Sequence, residues 1–201
     1  MKYDVILAGV GGQGVLSVAS IIARAALDEG LAVRQSEVHG MAQRGGAVLA
    51  HLRIADGKIA GDLVPKGGAD LIISMEPLES LRYLSWLKTS GALVTAAEPF
   101  VNISNYPDIN EITSAIKSLK HYRLVEAVSL AKEAGLAKAV NTVMVGAASF
   151  FLPIKHKSLE KTIAAVFSKK DEKAVSANAK AFKLGQDAVI LSDPGSKGKN
   201  K

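Results

Sequence analysis

The opening of the chain narrows most what it can fold into. Tyr3-Asp4-Val5-Ile6-Leu7-Ala8-Gly9 is a nearly continuous apolar run ending in glycine. Such a run reads as a strand buried on both faces, as in a parallel sheet. Gly9-Val10-Gly11-Gly12-Gln13-Gly14 then fits the spacing G-x-G-x-x-G. Val15, Val18, Ala19, Ile22 and Ala26 recur at helical spacing, and Gly30 stands where a helix would stop. Residues 31–36 read as a second strand. Strand, turn, helix and strand make a β-α-β unit with an expected right-handed crossover, which places the chain in the α/β class.

After residue 36 the pattern departs from simple alternation. Residues 37–46 form a polar, glycine-rich loop. Val48, Ala50, Leu52 and Ile54 then alternate with Leu49, His51 and Arg53, the period of a strand with two faces. Asp56-Gly57 is a hairpin signal, and Lys58-Ile59-Ala60 would start a return strand. A β-hairpin is therefore expected where a plain doubly wound fold has a helix. Alternation resumes with strands at 69–75, 92–97 and 122–125 and helices at 77–87, 109–119 and 126–134, the last stopped at Gly135.

The remainder reads as helical. Residues 141–152 are nearly all apolar or small, so their helix should be buried all round, and they hint at apolar surface awaiting a partner. Leu159, Ile163, Val166 and Phe167 mark a one-sided helix. Ala174, Ala177, Ala181, Leu184, Ala188 and Leu191 form a stripe expected to pack against the sheet. The expected architecture is α/β: a Rossmann-like, mostly parallel sheet with an inserted β-hairpin and a helical C-terminal layer. Residues 1–193 make a single domain, and 194–201 a basic, flexible tail.

Composition excludes several functions. The chain has no cysteine, so it offers no disulfide, no catalytic thiol and no cysteine ligand for zinc or an iron–sulfur cluster. His39, His51, His121 and His156 show no metal-ligand spacing, and no metal site is expected. No apolar run reaches the roughly 18–20 residues of a membrane span. With an acid as early as Asp4, no signal peptide is expected either, and the reading is cytoplasmic. The net charge of +6 lies wholly in residues 155–201, since residues 1–154 balance 14 basic against 14 acidic side chains. With aromatics at only 5%, a basic, aromatic-lined nucleic-acid groove is not expected. An acidic protein partner makes better use of that charge.

Two constellations could carry chemistry. In the first, Gly9, Gly11, Gly12, Gln13 and Gly14 lie between strand and helix. Glycines there allow a tight turn and close backbone approach, and the helix N-terminus favours a phosphate. Glu37, at the end of the second strand, could bind a ribose hydroxyl. The turn alone is compatible with no ligand, with a phosphate or nucleotide, or with a nicotinamide site, and the inserted hairpin argues against the last. The second constellation is Ser36-Glu37-Val38-His39-Gly40-Met41-Ala42-Gln43-Arg44-Gly45-Gly46. It gathers an acid, an imidazole, an amide and a guanidinium on a loop that leaves from the ligand-binding edge of the sheet. Arg44 could fork onto a carboxylate or phosphate, and His39 could titrate near neutrality.

His51 and Arg53 share a strand face. They read as exposed polar partners of the hairpin, with a continuation of the loop's polar surface as the alternative. Ser17, Asn141 and Ser149 suggest no nucleophile, because no base can be placed beside them. Glu76, Glu79 and Glu98 are secondary candidates near helix starts, where acids also complement the helix dipole.

The glycine turn and Arg44-Gly45-Gly46 resemble the gamma-type subunits and domains of 2-oxoacid:ferredoxin oxidoreductases, and together with Ser36–Gln43 and His51-x-Arg53 they resemble the small subunits of the indolepyruvate branch. Residues 37–43 look specific to that branch. The resemblance is strong over residues 3–54, and length and the late helical part fit beyond them. It implies oxidative decarboxylation of a 2-oxoacid with coenzyme A to an acyl-CoA, carbon dioxide and two electrons, in anaerobic metabolism. Thiamine diphosphate supplies the carbanion chemistry and iron–sulfur clusters carry electrons to ferredoxin. No cofactor is expected to be bound by this chain alone. It lacks cysteine, and Gly61-Asp62 is followed by leucine rather than completing the Gly-Asp-Gly of a thiamine site. A large partner subunit must hold both groups, in a heterodimer or heterotetramer. The expected role of the glycine turn and of Glu37, His39, Gly40, Met41, Gln43, Arg44, Gly45 and Gly46 is to face that partner and help enclose the coenzyme A or substrate channel. Rival readings are a sister subunit acting on pyruvate, 2-oxoglutarate or branched 2-oxoacids, a stand-alone nucleotide-binding oxidoreductase, and a non-catalytic scaffold.

Overall fold

The computed structural model describes residues 1–39, 45–168 and 170–191. Among these described residues six strands form one sheet: β1 (Lys2–Val10), β2 (Ala32–His39), β3 (Ala47–Ala55), β4 (Ala69–Ser74), β5 (Leu87–Ala96) and β6 (Tyr122–Val125), in the order β2-β3-β1-β4-β5-β6. β1, β4, β5 and β6 pair in parallel, and β3 runs antiparallel to both β1 and β2. Among the described residues, seven helices accompany it: α1 (Val15–Asp28), α2 (Pro77–Arg82), α3 (Ile109–Lys117), α4 (Ala127–Glu133), α5 (Val140–Ala148), α6 (His156–Phe167) and α7 (Glu172–Leu191). Among the described residues, no helix is long and apolar enough to cross a membrane.

The apolar run of β1 does what its composition requires. Val5 and Leu7 enter one core layer with α1, α4, α5, α6 and α7, while Ile6 and Ala8 enter a second with Tyr83, Ile112 and Ile116. Covering a parallel sheet on both faces is the usual solution for strands apolar on both sides. The mostly parallel α/β sheet and the helical C-terminal layer are as expected.

The hairpin differs from expectation. β2 and β3 are its two arms, joined through residues 40–46, with Ala32 opposite Ala55 and His39 opposite Val48. No strand forms at 58–60. The reason is that β3 is bonded on both edges, by β2 and by β1, so no edge is left for a return strand. The opening β-α-β unit is also split, because β3 lies between β1 and β2.

His51 and Arg53 are likewise not surface groups. They are 4% and 8% exposed, in register with Ile6 and Asp4 of β1. Arg53 lies opposite Asp4 in the ladder and holds its carboxylate through Nε at 2.9 Å and Nη2 at 3.2 Å. Its Nη1 donates to the carbonyls of Gly61 and Leu63 at 2.9 and 3.0 Å. His51 Nδ1 accepts the Val64 N–H at 3.1 Å. Together they tie residues 61–64 to β3, and Val64 is buried there. Burial first, and the Arg53 charge second, hold the His51 pKa below 6.5, so it is the neutral ring that accepts this bond.

α2 is shorter than the expected helix. It ends at Arg82, a 3-10 turn follows at Leu84–Trp86, and β5 begins at once with Leu87. A register shift between Ala69 and Leu71 accommodates the longer β5. The stripe on α7 packs chiefly on α5 rather than on the sheet. A Cβ on Gly146 would meet the Phe182 carbonyl oxygen at 2.1 Å, and one on Gly185 the Val143 oxygen at 2.1 Å. The two glycines let the helix backbones touch. α5 is therefore sandwiched between sheet and α7, with residues 142–148 all buried. The apolar surface of α5 itself is interior, while Phe150 just beyond it is exposed.

Candidate functional site

The chain leaves β1 toward β2 on one side and β4 toward β5 on the other. The crevice beyond the carboxyl ends of β1 and β4 is thus a topological switch point, where open α/β sheets bind ligands. A cleft of about 480 Å³ lies there, floored by Gly12, Gln13, Gly14 and Met75 and walled by Phe100, Val128, Lys138 and Asn141.

The glycine turn is shaped by its residues. Gly12 and Gly14 have φ of 101° and 78°, a region in which side chains other than glycine's are strained. Gly9 has no such backbone, but a Cβ there would meet Val15 Cγ2 at 2.8 Å and Met75 Cβ at 3.0 Å. Gln13 is fully engaged: its Oε1 accepts the Val10 N–H at 2.8 Å and its Nε2 donates to the Met75 carbonyl at 3.1 Å. It ties the end of β1 to the end of β4. Gly12 and Gly14 N–H find no acceptor among the described residues and stand at the cleft floor.

The two constellations meet. Gly11 N–H donates to the Gly46 carbonyl at 2.8 Å, and Gly45 N–H donates to the Gly11 carbonyl at 3.3 Å. Asn102 Nδ2 donates to the Gly45 carbonyl at 2.6 Å, so the β5–α3 connection joins the same rim. Glu37 is exposed on edge strand β2, where it accepts from Gln35 Nε2 at 2.9 Å. With β3 interposed, β2 lies two strand spacings, roughly 10 Å, from β1. Glu37 is therefore not brought beside the glycine turn as a ribose-binding acid would be. His39 ends β2. Gly40, Met41, Gln43 and Arg44 lie outside the described residues.

Two of the secondary candidates cap helices. Glu98 accepts the N–H groups of Ala127, Val128 and Ser129 at 3.1, 2.8 and 3.3 Å, which caps α4 from the cleft wall. Glu76 is 1% exposed and caps α2 by accepting the Glu79 N–H at 2.7 Å. Burial raises the Glu79 pKa, against the lowering effect of Arg82 beside it. Sequence reasoning did not find Lys138 and Phe100. Lys138 is exposed at the cleft, on the 3-10 turn Ala137–Ala139, with no carboxylate partner among the described residues. Nothing in its local pattern marks it. Phe100 had a weak signal, as an aromatic in a polar, proline-bearing connection just after a strand. The arrangement as a whole offers free N–H groups, one cation and an apolar wall, which suits an anionic ligand with an apolar portion.

Comparison with known proteins bears on this cleft. Residues 4–188 match the family described as pyruvate ferredoxin/flavodoxin oxidoreductase. The chain is 38% identical to the indolepyruvate oxidoreductase subunit IorB of Pyrococcus horikoshii, over 94% of this chain and 96% of that protein. Among solved structures, the gamma subunit of a keto/oxoacid ferredoxin oxidoreductase from Geobacter sulfurreducens superposes with a TM-score of 0.67 at 25% identity, over 94% of this chain and 99% of that one. The 2-oxoglutarate:ferredoxin oxidoreductase of Magnetococcus marinus shares the fold, with a TM-score of 0.76 at 22% identity. The likeness covers 96% of this chain and 32% of that longer chain.

Proposed function

This chain belongs to the pyruvate ferredoxin/flavodoxin oxidoreductase family, and we propose that it is the small subunit of a 2-oxoacid:ferredoxin oxidoreductase of the indolepyruvate type. The reaction converts an aryl-pyruvate anion and coenzyme A into an acyl-CoA and carbon dioxide, releasing the thiol proton and two electrons, and the electrons pass to ferredoxin. The near full-length likeness to an indolepyruvate oxidoreductase subunit carries this reading. The large partner subunit holds thiamine diphosphate and the iron–sulfur clusters, which supply the carbanion chemistry and the electron path. This chain has no cysteine to hold a cluster. The assembly is a heterodimer or heterotetramer in the cytoplasm.

The small subunit contributes the cleft. Gly12 and Gly14 line the cleft that takes the phosphate-bearing co-substrate, Gly9 and Gln13 hold the turn in shape, and the loop Glu37–Gly46 faces the partner. Gly12 and Gly14 N–H groups and Lys138 take an anionic group of coenzyme A, and Arg44 offers a second cation from the loop. The split β-α-β unit disfavours a stand-alone nicotinamide site, since Glu37 is held away from the turn.

The test is anaerobic. The tagged chain should co-purify from its source cells with a large, brown partner, and the complex should reduce viologen with indolepyruvate plus coenzyme A. Profiling pyruvate, 2-oxoglutarate and branched 2-oxoacids separates the sister enzymes. Arg44→Ala and Lys138→Ala should each raise the KM for coenzyme A about three- to tenfold with kcat retained. A colourless, inactive chain purified alone would sink the subunit reading. Unaltered coenzyme A kinetics in both variants would leave the loop and cleft purely structural.

A further inference from the structure

One wall of the cleft is set by a buried carboxylate. The β5–α3 connection carries Phe100 into the cleft, and no regular secondary structure holds residues 99–103. Glu76, at the end of β4, supplies the hold. Its Oε2 takes the Glu79 N–H at 2.7 Å. Its Oε1 takes the Phe100 N–H at 3.3 Å and the Tyr106 hydroxyl. Capping α2 requires only the first of these. Glutamate is not among the favoured N-cap residues, and a short Ser, Thr, Asp or Asn would cap equally well. Only a longer arm also reaches the Phe100 N–H and the Tyr106 hydroxyl. No cation pairs with Glu76 among the described residues, so those donors are what make its burial tolerable. From Phe100 the backbone continues to Asn102, whose side chain bonds Gly45, and Gly45 bonds Gly11, so the connection held by Glu76 is tied to the glycine turn.

We infer that Glu76 is a positioning residue for the co-substrate: through Phe100 and Tyr106 it fixes the wall against which coenzyme A is held for acyl transfer. The inference rests on the reading of the cleft as the coenzyme A site. Burial and the hydrogen bond to Glu76 push the Tyr106 pKa far up, so its hydroxyl remains a donor at any working pH.

The assembled enzyme, small and large subunits co-expressed, is the system to test. Glu76→Gln puts an amide NH2 against one of three donors. The KM for coenzyme A should rise about tenfold, while kcat at saturating coenzyme A and the KM for indolepyruvate stay within about twofold. Tyr106→Phe and Asn102→Ala each remove one link and should raise that KM about threefold, and they carry the test if Glu76→Gln does not assemble. An unaltered coenzyme A KM in the assembled variants overturns the inference, as does a loss confined to kcat. Photolabelling with an aryl-azide derivative of coenzyme A separates the two readings. Labelling of wild type away from the Gly12–Gly14 and Lys138 peptides refutes the cleft as the site, and the inference with it. Labelling at those peptides, with wild-type KM in all variants, leaves the site standing and removes Glu76 from it.

Discussion

Arg53→Met should cost stability and leave chemistry alone. The side chains of Arg53 and Asp4 are 10% and 3% exposed, and they are joined by two charge-assisted hydrogen bonds. Removing one partner of such a pair leaves a buried charge uncompensated, at about 3–5 kcal/mol. Lys2 Nζ lies 3.2 Å from the same carboxylate but is 59% exposed, so it returns only a small part, about 0–1 kcal/mol. The carbonyls of Gly61 and Leu63 lose a donor but belong to exposed residues and rehydrate, at roughly 1 kcal/mol between them. The net expectation is about 3–5 kcal/mol, or roughly 6–20 °C in Tm for a chain of this size. Urea denaturation of wild type, Arg53→Met, Asp4→Leu and the double variant measures it. The double variant should recover much of the loss, because no buried charge is left unpaired. A loss below about 1 kcal/mol in Arg53→Met, or strictly additive losses, would refute the buried-pair argument. Lost coenzyme A kinetics in a fully folded Arg53→Met complex would refute the assignment of Arg53 to structure.

Two further outcomes follow from the same geometry. The folded-state pKa of His51 is lowered, so its contribution is intact above pH 6.5 and is lost as pH falls from there through the folded value. The urea midpoint should therefore drop more between pH 7.5 and 5.5 in wild type than in His51→Gln, and equal drops would show that another group governs the acid limb. At the glycine turn, Gly12→Ala should cost about 1–2 kcal/mol, for positive φ alone, since nothing lies within 4 Å of the added Cβ. Gly14→Ala should cost more, because the Cβ would sit 2.2 Å from Asn141 Nδ2, and Asn141→Ala in that background should return the excess in thermal denaturation.

Much of the fold was legible because local patterns and burial agree. The apolar run of β1, the helical spacing of α1 and the stops at Gly30 and Gly135 each have a local cause, and both glycines take positive φ. The hairpin was misplaced because Asp56-Gly57 is a good turn signal with no free strand edge to serve. The face of α7 was identified but not its neighbour, since a stripe of small residues does not say whether sheet or helix receives it. His51 and Arg53 looked like surface groups because alternation reports which residues share a face, not what covers that face. At the site, the glycine turn and the Arg-Gly-Gly loop were visible as separate anion-suited loops. Their bonding through Gly11, Gly45 and Gly46, and the third side built by Phe100, Lys138 and Asn102, were not.

By itself the sequence determined the class of fold, the turn that must be glycine and the absence of any thiol ligand. These follow from backbone sterics, short-range periodicity and side-chain chemistry, which act over a few residues. Only the tertiary structure decided that β3 separates β1 from β2 and holds Glu37 away from the turn. It also decided that Arg53 is buried against Asp4, and that Glu76 reaches across to Phe100 and Tyr106. Each of these depends on which edge is free and which carboxylate is desolvated, and those facts exist only once segments distant in the chain have packed.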